Sequence, residues 1–124
     1  SLTPTALAFV GDAVQALYIR RRLLDCSDSV CGTLHVTATK YVSAAAQAFC
    51  YDALSRDGVF TEDEADTARR AKNAHLHSHG KDISDYHKAT ALEAVIGRLE
   101  LEGNAARRDE LLAMCFDLIT NQKG

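Results

Sequence analysis

Residues 4–24 read PTALAFVGDAVQALYIRRRLL, and this stretch determines the fold class of the chain. Its large apolar side chains repeat at the spacing of one helix face, and Pro4 suits a first helical turn. The opposite face is also mostly apolar, so the pattern predicts a central helix that is buried on both faces. Asp12 is the only charged residue among the first 19, which is unusual for such a helix. The residues of the two faces are Leu7, Ala8, Val10, Val14, Ala16, Leu17, Tyr18, Ile19, Leu23 and Leu24.

The rest of the chain is also predicted to be helical. Twenty alanines, a single proline and few aromatic residues favour helices that pack at close range. Residues 61–64, TEDE, form a capping box at the start of a helix, and Gly58 and Gly103 mark helix ends. No segment predicts a strand. We therefore expect an all-α bundle with helices over residues 4–24, 33–40, 43–56, 61–74 and 85–101, and a last helix capped by Asn104.

Length and composition limit the class of protein further. The chain has 124 residues, a mass of 13.5 kDa and a net charge of −3, which predicts one domain over residues 1–124. No stretch approaches the roughly 18–20 apolar residues of a membrane span. No secretory leader is visible at the start of the sequence. We therefore expect a cytoplasmic protein with no membrane partner.

Cysteine and histidine spacing favours no dedicated zinc site. The four cysteines lack the paired short spacings of a zinc ribbon and are predicted to be mostly buried free thiols, with a zinc site or a disulfide framework as the alternatives. Three alternating histidines resemble a metal site but suit a much larger fold, so a polar loop is favoured. These residues are Cys26, Cys31, Cys50 and Cys115, and His75, His77 and His79.

A second isolated carboxylate lies in residues 89–97, ATALEAVIG, where Glu93 is the only charged residue. Burying such a charge alone costs on the order of several kcal/mol, so it needs a cation, a metal ion or water. Two lone carboxylates on two apolar helices, Asp12 and Glu93, suit a hard divalent cation such as Mg²⁺. The pattern also allows a structural ion pair of each carboxylate with an arginine.

Positive charge concentrates between residues 69 and 88. This stretch has five Lys or Arg against two Asp, although the whole chain is net acidic. One interpretation is the phosphate-facing rim of a nucleic-acid cleft. The other is a solvated polar loop with no ligand.

Three segments, in order, resemble the ribonuclease III catalytic domain, and more closely its compact form, mini-ribonuclease III, which lacks a double-stranded-RNA-binding domain. They are residues 7–14 (LAFVGDAV), 69–74 (RRAKNA) and 86–97 (YHKATALEAVIG). The resemblance implies a helical bundle that is one Mg²⁺-dependent endoribonuclease domain, with Mn²⁺ able to substitute. It further implies a homodimer that cleaves double-stranded RNA and matures the ends of precursor large-subunit (23S) ribosomal RNA.

The resemblance also implies roles for individual residues. Asp12 and Glu93 match the family's acidic metal-binding positions and would be the catalytic metal ligands, with Thr90 as an outer hydrogen-bond donor. Full-length ribonuclease III enzymes carry further carboxylates at the positions of Ala8 and Thr90, so the number of metal ions stays open. The expected RNA contacts are Arg69, Arg70, Lys72, Asn73 and Lys88.

Two non-enzymatic alternatives stay open at this point. One is an RNA-binding or ribosome-associated module that keeps the same fold without catalysis. Retention of both Asp12 and Glu93 argues against it. The other is a helical dimerisation adaptor with no RNA role, which leaves both carboxylates unexplained.

Overall fold

The computed structural model describes residues 2–26, 31–74 and 83–122. These residues form six α-helices and no strand, which confirms the predicted all-α class. None of the described helices combines the length and the apolar character needed to cross a bilayer. The helices are α1 (Pro4–Cys26), α2 (Cys31–Val42), α3 (Ala44–Arg56), α4 (Glu62–Asn73), α5 (Ile83–Leu101) and α6 (Ala105–Thr120).

Helix α5 occupies the centre of the bundle, and α1, α3 and α4 pack around it. Leu92, Val95 and Ile96 of α5 are at most 1% exposed and form the main core with residues of α3, α4 and α6. The prediction that α1 is the central helix, buried on both faces, is therefore wrong. Phe9 is 82% exposed and Leu17 is 59% exposed, because no described helix covers that face of α1.

Two glycines allow the backbones of α1 and α5 to pack in close contact. A Cβ added to Gly11 would lie 1.8 Å from the backbone oxygen of Glu93. A Cβ added to Gly97 would lie 1.9 Å from the backbone oxygen of Leu7. Both distances are far shorter than any real contact, so a residue with a side chain cannot occupy either position without separating the helices. The two contacts also show that α1 and α5 run antiparallel.

Helix α4 is joined at its start to α6. The Thr61 hydroxyl accepts a hydrogen bond from the Glu64 N–H, and the Glu64 carboxylate accepts one from the Thr61 N–H, which confirms the predicted capping box. Arg107 of α6 donates two further hydrogen bonds to the same carboxylate, at 2.8 and 2.9 Å. Burial alone raises the pKa of Glu64, but Arg107 and the Thr61 N–H outweigh it and leave that pKa lowered. The pair therefore ties α4 to α6 in its charged form.

Two of the four cysteines lie inside the bundle as free thiols, as predicted. The Sγ atom of Cys50 is 3.7 Å from the backbone oxygen of Cys115. A hydrogen bond with Cys50, together with burial, raises the pKa of the Cys115 thiol. The side chains of Cys26 and Cys31 and the residues His75, His77 and His79 lie outside the described part of the chain.

Candidate active site

The crossing of α1 and α5 brings together two carboxylates that lie 81 residues apart in the sequence. Asp12 follows Gly11 directly and is exposed, whereas Glu93 is partly buried. The Asp12 carboxylate lies within hydrogen-bonding reach of the Glu93 carboxylate. Among the described residues, neither carboxylate forms an ion pair with a lysine or an arginine. This arrangement favours a cation site over the structural ion pairs that the sequence allowed.

The surroundings of Glu93 oppose its ionisation. Its pKa is raised from an ordinary value of 4.5 to about 8. Burial is the largest cause, because it removes the charged form from water, and the hydrogen bond and the charge of Asp12 raise the pKa further. A hydrogen bond from Gln47 acts in the opposite direction. At neutral pH the Glu93 carboxyl is therefore mostly protonated unless a cation lies beside it.

Gln47 is a site residue to which the sequence analysis assigned no role. Its Nε2 donates to the Glu93 carboxylate at 3.3 Å and to the backbone oxygen of Val42, at the end of α2, at 2.9 Å. Ser43 caps α3 and thereby sets the position of Gln47 one turn later. The only feature of the sequence that could have pointed to Gln47 is that it is the single polar residue within the alanine-rich residues 44–48, AAAQA. The amide therefore fixes the orientation of Glu93 from the α3 side.

Thr90 lies one turn before Glu93 and is 5% exposed. Its hydroxyl donates to the backbone oxygen of Tyr86 at 2.9 Å, so the structure directs it along α5 and not toward Glu93. Threonine commonly makes this bond within a helix because the carbonyl four residues earlier is in reach. The predicted role of Thr90 as an outer hydrogen-bond donor to the site is not visible in this arrangement.

Two of the expected RNA-contacting cations lie against α3. The Nζ of Lys88 is 3.0 Å from the Asp52 carboxylate, and the Nζ of Lys72 is 5.6 Å from the centre of the Tyr51 ring. The second distance is within the range of a cation–π contact. Lys88 precedes Glu93 by five residues, which is about 7.5 Å along the helix axis. Lys72 of α4 and Lys88 of α5 therefore both lie against neighbouring residues of α3.

The remaining expected contacts lie on the outer side of α4. Arg69 and Arg70 are exposed and both pair with Asp66, one helical turn earlier. Asn73 is exposed at the end of the helix. Exposed ion pairs of this kind contribute about 0–1 kcal/mol, so a phosphate could replace Asp66 at little cost.

The two carboxylates fit a magnesium ion better than a zinc ion. Among the described residues, no group of three or more His, Cys, Asp or Glu side chains converges on one point. A structural zinc site needs four such ligands, and a catalytic zinc site commonly has three. Mg²⁺ commonly keeps several waters and binds through one or two carboxylates together with substrate phosphate. Asp12 and Glu93 therefore suffice for Mg²⁺, with oxygen ligands on two rigid helices.

Three comparisons relate this chain to known proteins. The family model described as Ribonuclease III domain matches residues 5–104. A protein named mini-ribonuclease 3 from Streptococcus pneumoniae is 39% identical, with 92% of this chain and 91% of that protein covered. One of the same name from Staphylococcus aureus is 37% identical, with 98% and 92% covered. A crystal structure of a protein from Fusobacterium nucleatum has a TM-score of 0.83 at 27% identity, and the match covers 94% of this chain and 93% of that one.

Proposed function

The chain belongs to the ribonuclease III family and is an endoribonuclease that acts on double-stranded RNA, and from this premise we propose where and on what it acts. Cleavage takes place at Asp12 and Glu93, which hold Mg²⁺, with Mn²⁺ able to substitute. Residues 1–124 act as one catalytic domain that works as a homodimer. Its substrates are stems of precursor 23S ribosomal RNA in the cytoplasm. Because the chain belongs to an enzyme family, we retain neither the non-catalytic RNA-binding module nor the dimerisation adaptor as an alternative.

One observation carries the proposed site: Asp12 and Glu93 meet at the glycine crossing of α1 and α5. Placing two carboxylates together without a lysine or arginine destabilises the folded chain when both are charged. The raised pKa of Glu93 results in part from this repulsion. A divalent cation removes the repulsion. The most economical explanation of this costly pair is therefore that the two residues bind a cation.

Each residue of the site has a separate task in the proposed mechanism. Asp12 offers its carboxylate from the exposed side, where the phosphate of a duplex can approach. Glu93 offers its carboxylate from the buried side, and Gln47 prevents it from turning away. When bound, Mg²⁺ supplies charge neutralisation at the scissile phosphate and activation of the attacking water. The protein contributes the fixed geometry, since both ligands stand on packed helices.

Binding of the duplex is assigned to Arg69, Arg70, Lys72, Asn73 and Lys88. A-form RNA is recognised mainly through its shape, phosphates and 2′-hydroxyls, which suits exposed cations that carry no base specificity. Because the chain is net acidic, these local charges must supply the attraction. Binding is therefore expected to weaken steeply with salt.

The exposed face of α1 supports a homodimer. Phe9 and Leu17 of α1 are 82% and 59% exposed and lie eight residues apart on one face of the helix, and Leu2, just before the helix, is 57% exposed. Asp12 lies beside this stripe, only three residues from Phe9. A symmetric contact through the stripe would bury the apolar side chains of both copies and bring two sites onto one duplex, one for each strand. Light scattering at micromolar concentration tests this: we expect twice 13.5 kDa, and a loss of the dimer in Phe9→Asp.

The substrate and its location follow from the likeness to the mini-ribonucleases III. Both are tested by cleavage of the stem that flanks precursor 23S ribosomal RNA, compared with an unrelated duplex of equal length. We expect preferred cuts near the mature ends of the stem. Equal cleavage of both duplexes would leave the nuclease activity in place and remove the proposed substrate.

The site itself is tested with two substitutions that keep side-chain volume and remove the charge. Asp12→Asn and Glu93→Gln are each expected to abolish cleavage in Mg²⁺ while duplex binding and the circular dichroism spectrum stay as in the wild type. Asp117→Asn, an exposed substitution on α6, is the matched control and should cleave normally. Cleavage by wild type should stop in EDTA and return with Mg²⁺. Normal cleavage by either site variant would contradict the assignment.

A further inference from the structure

Two glutamines, each with an unpaired buried amide oxygen, line the same small cavity close to Glu93. Gln15 of α1 and Gln47 of α3 are each 5% exposed, and the Oε1 atom of each has no hydrogen-bond donor among the described residues. The cavity has a volume of about 20 Å³ and is lined by residues of α1, α2, α3, α5 and α6. Buried polar atoms are nearly always paired in folded proteins, so two unpaired acceptors at one cavity require an explanation. The other lining residues are Ile19, Tyr41, Cys50, Leu92, Leu112, Cys115 and Phe116.

The orientation of the Gln47 amide is fixed by its other contacts. Its nitrogen donates to the backbone oxygen of Val42 and to the carboxylate of Glu93. Turning the amide over would place its oxygen against the Val42 oxygen, which can only accept. The unpaired atom of Gln47 is therefore an acceptor, and only a group with a hydrogen to donate can satisfy it.

We propose that one ordered water molecule occupies this cavity and donates its two hydrogens to the Oε1 atoms of Gln15 and Gln47. Water is the small molecule with two donors, and the cavity exceeds the roughly 10–15 Å³ that one water requires. A hard metal ion such as Mg²⁺ does not fit, because the lining offers no carboxylate and is mostly apolar. The water links α1 to α3 next to the point where both helices reach α5.

Gln15 is thereby a positioning residue for the reaction. It holds the water, the water holds the Gln47 amide, and that amide orients Glu93. Hydrogen-bond partners behind a metal ligand typically change activity by about 10–100-fold when they are lost. The effect of Gln15 on catalysis rests on the proposed function, whereas the water itself does not.

A high-resolution crystal structure of the wild-type chain tests the water directly. We expect a peak of density within hydrogen-bonding distance of both Oε1 atoms, and its loss in Gln15→Met, where the thioether has nearly the same length and offers no comparable acceptor. Well-ordered side chains around a cavity without density would overturn the proposal. So would a Gln15 amide directed away from Gln47. This result is independent of any cleavage measurement.

Cleavage kinetics test the positioning role. Gln15→Met is expected to lower kcat by about threefold to tenfold and to leave the KM for duplex RNA unchanged. Gln15→Leu serves as a second variant if Gln15→Met does not fold. Thr67→Val is the matched control, because it also removes a buried hydrogen bond, the one that Thr67 accepts from Arg98 at 2.6 Å, but it lies away from Glu93.

The control variant separates the outcomes. If Gln15→Met and Thr67→Val both lower the melting temperature and both keep the wild-type kcat, Gln15 is only structural and the positioning role is wrong. If kcat falls in Gln15→Met alone, the role is supported. A wild-type chain that cleaves no duplex would instead contradict the proposed function, while the crystallographic result would still decide the water.

Discussion

Substituting Gly11 by alanine tests the helix crossing on which the site depends. The added Cβ would lie 1.8 Å from the backbone oxygen of Glu93, whereas ordinary contact begins at 3.4 Å. The helices must therefore separate by roughly 1.5 Å, because the obstacle is backbone and cannot rotate away. Overpacking of a core costs about 1–3 kcal/mol, and a clash with backbone belongs at or above the upper end of that range. We expect a loss of about 3 kcal/mol and a fall in melting temperature of about 10 °C.

The same shift should also slow catalysis. A displacement of about 1 Å between reacting groups can cost about 100-fold in rate, so we expect Gly11→Ala to cleave at least that much more slowly at a temperature where it is folded. Thermal unfolding followed by circular dichroism and single-turnover cleavage are the two measurements.

Two other glycines provide controls for this experiment. Gly97→Ala makes the reciprocal clash, 1.9 Å from the Leu7 oxygen, and separates the same two helices, so it should lose similar stability and also cleave more slowly. Gly58 has a φ of +66° and open space around its Cβ position, so Gly58→Ala should lose about 1 kcal/mol and cleave normally. Wild-type stability and cleavage in Gly11→Ala would refute the crossing.

Three further predictions concern charge. Lys72→Ala should reduce the slope of log affinity against log salt by about one unit in filter-binding assays, whereas Glu93→Gln should leave that slope unchanged. Without divalent cations, the raised pKa of Glu93 should make the free energy of unfolding fall as pH rises from 4.5 to about 8. Urea titrations at several pH values measure this free energy. Adding Mg²⁺ should restore the lost stability, and Glu93→Gln should show no such fall with pH. Glu64→Gln should lose about 2 kcal/mol at neutral pH, because Arg107 keeps Glu110 and the Val59 backbone oxygen as partners but loses its buried charged partner Glu64. That difference in stability from wild type should shrink as pH falls below 4.5, because Glu64, whose pKa is lowered in the fold, stabilises the fold only while its carboxylate is charged. A difference that stays constant with pH would contradict the Glu64–Arg107 ion pair.

The sequence was sufficient to predict the helical class and to single out Asp12 and Glu93 as two carboxylates that need a partner. Both residues are isolated charges on apolar helices, and that local conflict is visible without coordinates. The sequence could not show which helix is central, because α1 and α5 are both apolar around their circumference. The difference lies in contacts between elements: residues such as Ala91 and Ala94 admit neighbours on every side of α5, whereas Phe9 projects from α1 into solvent.

The role of Gln47 was beyond prediction for a similar reason. A glutamine in an alanine-rich helix carries no sign of its partner, and its contact with Glu93 arises only when α3 packs against α5. The pairing of Arg69 and Arg70 with Asp66, by contrast, follows from spacings of three and four residues and could have been read from the sequence. Local spacing predicts contacts within a helix, and only the tertiary fold determines those between helices.

Because of the glycine crossing, the two carboxylates come together only when α1 packs against α5. Asp12 reaches Glu93 only while Gly11 and Gly97 lie against the opposite backbones. A molecule whose first helix has detached keeps Glu93 on α5 but loses the proposed binding site, so we expect it to be inactive even if its other helices remain formed. On heating, activity should thus disappear before the helical signal does. The loss of cleavage rate at each temperature would then report the fraction of molecules in which α1 has detached from the bundle.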